Sequence, residues 1–139
     1  MHPLRKLIFD EKLLSSLAET YGTPLYIYSQ ERITENVLNL KNALNKHFEK
    51  FHICYAIKSN SNPHLIKTMR EAFPKIGGDC SSPGEIYAAE LSGIDPSDCI
   101  YTGNYESPSD LKKALTKQCN INLDDITSLN RIKKIGLPK

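Results

Sequence analysis

FHICYAI (51–57), KIGGDC (75–80), DCIYTG (98–103) and CNINLD (119–124) are the four runs whose reading decides the fold. Each is short, and each concentrates β-branched, aromatic or small apolar residues, as a strand does. They begin at residues 51, 75, 98 and 119, so the repeat is 24, 23 and then 21 residues. Helical patterns fill the gaps: PHLIKTMREAF (63–73), PGEIYAAELSG (83–93) and PSDLKKALTKQ (108–118), with DITSLNRIKKIG (125–136) after the last strand. The joints agree with this division. Pro63, Pro83 and Pro108 stand at first helical positions, where a missing N–H leaves nothing unsatisfied. Asn62, Ser82 and Ser107 precede them as caps. Ser82 with Glu85 spells a capping box, and Gly93 and Gly136 close their helices.

Four consecutive βα units of this length imply an α/β fold with parallel strands, because each helical crossover returns the next strand to the same direction. Two architectures use such a rhythm. A doubly wound sheet would want a glycine-rich phosphate turn after its first strand, and residues 58–62 read KSNSN instead. A (β/α)8 barrel takes about 250 residues, so four units are its first half. The half-barrel is the better reading. In either architecture the chemistry belongs at the carboxyl ends of the strands.

Upstream, Asp10 caps a helix EKLLSSLAETY with Leu13, Leu14, Leu17 and Tyr21 as its apolar stripe, and Gly22 stops it. A short strand PLYIYS follows. Ser29 then caps a helix over 30–47, whose apolar face is Ile33, Val37, Leu40 and Leu44.

Bulk properties exclude several classes. Net charge is +2 over 139 residues, with basic residues scattered apart from pairs such as Lys112-Lys113 and Lys133-Lys134. A nucleic-acid or membrane-surface partner would call for a concentrated basic patch. No apolar run approaches the roughly 20 residues of a membrane span. The opening MHPLRKLIFD is too charged and short for a secretory signal. Cys54, Cys80, Cys99 and Cys119 form no C-x-x-C pair, and read as small buried hydrophobes of a reduced, cytoplasmic protein. His2, His47, His52 and His64 show no metal-ligand spacing, so no metal site is expected.

The residues at the carboxyl ends are Lys58, then Asp79 and Cys80, then Gly103 and Asn104, then Asp124 and Asp125. Lys58 follows FHICYAI, which looks buried on both faces, so its ammonium must emerge in a pocket or at the surface. It either snorkels out at a strand end or serves chemistry. In the second case, partial desolvation in an apolar barrel mouth would favour the neutral amine, the nucleophile that forms a Schiff base with an aldehyde. Asp79, on the neighbouring strand, either orients that amine or satisfies loop N–H groups. Glu85 reads as a capping residue before it reads as a catalytic one.

YAIKSNSNPHLI (55–66) resembles the cofactor-lysine motif of the pyridoxal-phosphate-dependent decarboxylases built on a (β/α)8 barrel, the ornithine, diaminopimelate and arginine decarboxylase family. IGGDCSSPGEIYAAELSGI (76–94) is similar to its second motif, an aspartate-bearing strand followed by Ser-x-Gly-Glu. IYTGNYESPSDLKKAL (100–115) and INLDDITSLNRI (121–132) resemble the third and fourth units. TPLYIYSQERI is similar to the lead-in of the diaminopimelate decarboxylases in particular. The resemblance implies that Lys58 carries pyridoxal 5'-phosphate covalently and that Asp79 belongs to the shell around lysine and cofactor. It implies removal of a carboxylate from an amino acid, with conversion of diaminopimelate to lysine foremost. Ornithine, arginine or carboxynorspermidine decarboxylation is the alternative, as is a non-catalytic homologue that binds a partner.

Residues 1–29 would be a lead-in, and 30–139 part of the pyridoxal-phosphate-binding barrel domain. The full-length protein would be a cytoplasmic homodimer whose partner is a small amino-acid substrate. Two departures stand out. The family usually has a lysine near position 106, where this chain has Tyr105-Glu106-Ser107, and LDD replaces an Asp-Ser pair in the fourth unit. The later ring-stacking histidine, the glycine-rich phosphate loop, the acidic partner of the ring nitrogen, the carboxy-terminal β-domain and the cysteine that reaches across the dimer do not occur in these 139 residues. The expectation is therefore of a fragment or truncated reading frame, inactive alone and marginally soluble.

Overall fold

The computed structural model describes residues 10–104, 106–123 and 125–136. The first helix, α1 (Glu11–Tyr21), starts where a carboxylate can cap it: Asp10 accepts the Leu13 amide at 2.7 Å. Its stripe is present but uncovered, with Leu13, Leu14 and Tyr21 all exposed and no residue of α1 buried. The expected strand PLYIYS does not form. Residues 24–29 lack strand structure, and no described strand lies beside them to take their N–H and C=O groups, which a ladder requires. Helix α2 (Gln30–Asn45) is capped by Ser29, which accepts the Arg32 amide at 3.1 Å, and ends two residues short of the expected limit.

The rhythm from residue 51 onward is a run of βα units: β1 (Cys54–Ala56), α3 (Pro63–Ala72), β2 (Gly77–Cys80), α4 (Pro83–Leu91), β3 (Ile100–Tyr101), α5 (Pro108–Thr116), β4 (Asn120–Ile121) and α6 (Ile126–Ile135). Asn62, Ser82, Ser107 and Asp125 cap the last four helices through their side-chain oxygens. The capping box at Ser82 is displaced by one residue. Ser82 accepts the Glu85 amide, but the Glu85 carboxylate takes the amide and hydroxyl of Ser81, at 2.9 and 2.8 Å. Gly93 and Gly136 close their helices with φ of +83° and +105°, values that suit glycine.

The four strands are parallel, in the order β1-β2-β3-β4. Helices α2 to α6 each contact the next in sequence. This is the first half of a (β/α)8 barrel. Alternation along the strands divides two faces. Cys80 and Tyr101, in register, join Ile57, Ile66, Ile86, Ala89 and Ala114 in the core beneath the helices, with Tyr55 packed against it. The opposite face, with Ala56, Asp79, Ile100 and Asn120 in register, is half-buried or exposed. FHICYAI is accordingly not buried on both faces. As the sheet edge, β1 has a neighbouring strand on one side only, and its three residues are half-buried. No described helix is long and apolar enough to cross a membrane.

The tightest point is Gly77. A Cβ there would lie 2.1 Å from the Asp98 carbonyl oxygen and 2.8 Å from His52 Nε2. Gly84, by contrast, has only Ser82 Oγ within reach, at 3.8 Å. Gly77→Ala is expected to destabilise by about 2–3 kcal/mol, because backbone must move to admit the methyl. Gly84→Ala, at an ordinary helical φ, should be neutral or stabilise by up to about 1 kcal/mol. Urea unfolding followed by circular dichroism separates the two.

Candidate functional site

Lys58 sits in a single 3-10 turn, Ile57–Ser59, directly after β1. Ile57 is fully buried in the core, so the turn is pinned at one end by packing, and Lys58, next in sequence, is exposed. The enclosure expected of a barrel mouth is not provided by the described residues, which leave Lys58 exposed. The other end of the turn is tied by Asn60. Its carbonyl accepts the Tyr55 hydroxyl at 3.3 Å, and its Oδ1 accepts the Asn62 amide at 3.1 Å. Its Nδ2 donates to the Tyr28 hydroxyl at 3.0 Å.

Asp79 occupies the third position of β2, in register with Ala56 and so two residues back along the rim from Lys58. It is half-buried on the open face. The structure thus brings an amine and a carboxylate to adjoining strand ends. Cys54 lies on the same face, its Sγ 3.7 Å from His52 Nδ1. Its thiol is pushed above the ordinary range by burial, and then by the nearby Cys99, Asp79 and Asp98. It is not an activated nucleophile.

All four cysteines are free, and Cys80, Cys99 and Cys119 are buried. The Cys80 thiol is raised, first by its hydrogen bond with Cys99 and then by burial, and burial pushes Cys119 up to about 11. They are packing groups. Burial also raises Tyr101 to about 12, with Asp110 and Glu106 adding to it.

Further along the rim, Gly103 is buried and Asn104 exposed, while Tyr105 and Asp124 lie outside the described residues. Glu106, only 8% exposed, is held from α6. Its Oε1 lies 3.5 Å from Arg131 Nη2 and accepts the Ser128 hydroxyl at 3.4 Å. Arg131 also donates to Ser128 Oγ at 2.5 Å and to Asp125 Oδ2 at 3.3 Å. Asp125 caps α6 and is held below the usual carboxylate range, first by the Thr127 hydroxyl, then by the Ser128 amide, with Arg131 adding a smaller pull. Reading the sequence did not find this cluster. A glutamate at a position where the family usually has a lysine was the signal, and a cation in the helix after next was the thing to seek.

Residues 30–137 match the family profile described as pyridoxal-dependent decarboxylase, pyridoxal binding domain. The chain belongs to this family. It is 39% identical over 120 residues to the diaminopimelate decarboxylase of Methanothermobacter thermautotrophicus, covering 86% of this chain and 28% of that protein. It is 38% identical over 113 residues to the enzyme of the same name from Aquifex aeolicus, over 81% of this chain and 26% of that protein. The crystal structure of diaminopimelate decarboxylase from Helicobacter pylori complexed with L-lysine superposes with a TM-score of 0.78 at 32% identity, over 88% of this chain and 30% of that one. The chain therefore spans less than a third of the length of the pyridoxal-dependent relatives it matches.

Within this family domain, Glu106 and Arg131 tie the loop after β3 to α6. Arg131→Ala leaves a buried carboxylate without its cation. The loss for a fully buried pair is roughly 3–5 kcal/mol. With the Arg131 side chain 31% exposed, solvent screens the interaction, and about 2 kcal/mol is expected. Adding Glu106→Gln to Arg131→Ala should recover part of that loss in urea unfolding, since the uncompensated charge is gone.

Proposed function

We propose that the protein is a pyridoxal-phosphate-dependent amino-acid decarboxylase acting on meso-diaminopimelate, with Lys58 holding the cofactor and Asp79 beside it. The observation that carries this reading is the exposed primary amine in the turn after the first strand of a pyridoxal-binding domain. The donor set suits the group. An amine is what bonds to an aldehyde carbon, and the half-buried Asp79 carboxylate stands on the adjoining strand end, in register two residues back from it. When bound, the cofactor supplies an electron sink for the carbanion left as the carboxylate departs.

The chain's own residues do the rest. Lys58 would hold the cofactor through its side-chain nitrogen, the amine that bonds to an aldehyde carbon. Asp79, on the adjoining strand end, would accept a hydrogen bond from the amine of the incoming substrate and so orient it on the rim. Tyr55 and Asn60 hold the turn at its carboxyl end. The substrate is supported by the names of the 39% and 38% identical relatives and by the L-lysine of the Helicobacter pylori structure. Residues 30–139 are assigned to the cofactor-binding barrel and 1–29 to its lead-in. The family resemblance is what supports a cytoplasmic homodimer.

Expressed from its own gene, the protein is expected to restore growth without lysine to a bacterium lacking diaminopimelate decarboxylase. Purified with pyridoxal phosphate, it should release carbon dioxide from meso-diaminopimelate at a turnover on the order of 1 per second. Lys58→Ala should lower that rate by about a thousandfold or more, as loss of a covalent group does. The 139 residues alone should release none. Release from ornithine or arginine in place of diaminopimelate would reassign the substrate, and release undiminished by Lys58→Ala would remove Lys58 from the reaction.

A further inference from the structure

A single 3-10 turn is weakly held by its own hydrogen bonds. The direction in which Lys58 projects is therefore set by whatever fixes the two ends of Ile57–Ser59. Burial of Ile57 fixes the first. The second depends on Asn60, and Asn60 is bound from two directions. Tyr55, on β1, donates to its carbonyl from within the same βα unit. Tyr28 accepts from its side-chain amide nitrogen at 3.0 Å, across 32 residues of sequence, from the extended segment that precedes α2. That amide nitrogen can only donate, and the Tyr28 hydroxyl oxygen is its acceptor. With Oδ1 already taken by the Asn62 amide at 3.1 Å, both ends of the Asn60 side chain are committed, so the side chain has one orientation.

We propose that Tyr28 is a positioning residue for Lys58: by holding the Asn60 amide it sets the orientation of the turn from which the lysine amine reaches the cofactor aldehyde. This rests on the reading that Lys58 carries the cofactor. It gives the lead-in a task at the site although it forms no strand. Tyr28 itself touches no reacting atom. It acts through Asn60, and its loss should misdirect the amine without unfolding the domain, because Tyr28 is half exposed and its ring adds nothing to the buried core.

The test is Tyr28→Phe in the protein expressed from its own gene, which removes the hydroxyl and keeps the ring. Apoprotein is mixed with pyridoxal phosphate. The growth of visible absorbance gives the attachment rate, induced circular dichroism in that band gives the orientation, and thermal melting of the apoprotein gives the stability. Attachment is expected to slow about fivefold, the equivalent of about 1 kcal/mol for one neutral hydrogen bond. The induced dichroism should weaken, with melting unchanged. Asn60→Ala, which removes the Tyr28 link together with the Asn62 contact, should show at least that loss, and the double variant no loss beyond Asn60→Ala, because the Tyr28 link is already gone. Attachment and dichroism like wild type in Tyr28→Phe would overturn the proposal, as would additive losses in the double variant or a lowered melting midpoint with unaltered dichroism. Lys58→Ala separates this from the reading beneath it. If Lys58→Ala keeps the visible band, the cofactor lysine is wrong and the positioning role falls with it. If Lys58→Ala abolishes the band while Tyr28→Phe matches wild type, the positioning role alone is wrong.

Discussion

Where β2 passes Gly77, the sheet has no room for a side chain: the Asp98 carbonyl stands 2.1 Å from the point a Cβ would occupy, and the His52 ring closes the space from the β1 side. Gly78 is nearly as confined, with Cys99 Sγ 3.0 Å from its Cβ position. Two bare residues let β2 lie flush between its neighbours, and the register follows from that contact. Gly77 opposite Cys54 puts Asp79 opposite Ala56, and Asp79 opposite Ile100 carries the same line to β3. Because side chains alternate, a slip of one residue would send Asp79 into the helix-covered core and Cys80 to the open face. The meeting of a lysine and an aspartate on one rim is thus a consequence of packing at two glycines.

The two faces of the sheet then have opposite fates. One is sealed by α3, α4 and α5 over Cys80, Cys99, Tyr101 and Ile57. There Cys80 is driven toward its neutral form by its hydrogen bond with Cys99 and by burial, and burial does the same to the Cys119 thiol and the Tyr101 hydroxyl. The other face stays open, and with it Lys58. With Lys58 exposed, what the chain itself contributes at this point is placement. The Asn60 hub and the buried Ile57 provide it. The β1 and β4 strands end the sheet, with no described strand on the outer side of either, a feature that invites pairing with other chain segments.

Much of this was legible in the residues. The spacing of the four runs and the proline starts located every βα unit, and cap residues marked helix boundaries to within two or three positions. Strand length was not legible. Strand-like runs of six or seven residues became strands of two to four, because a ladder exists only where a neighbour is in register. PLYIYS had strand composition and no strand to pair with. The rhythm placed Lys58 and Asp79 at strand ends, where the structure has them. The contact of Glu106 with Ser128 and Arg131 could not be foreseen, since it joins a loop to a helix three elements later and leaves no periodic trace. Tyr28 escaped for the same reason.

We propose that the first βα turn presents the lysine that takes the cofactor. Borohydride reduction of the protein saturated with pyridoxal phosphate, followed by proteolysis and mass spectrometry of the labelled peptide, tests it directly. The label is expected on Lys58, within YAIKSN. A label confined to Lys67 or Lys75, which lie on α3 and in the turn before β2, would contradict it.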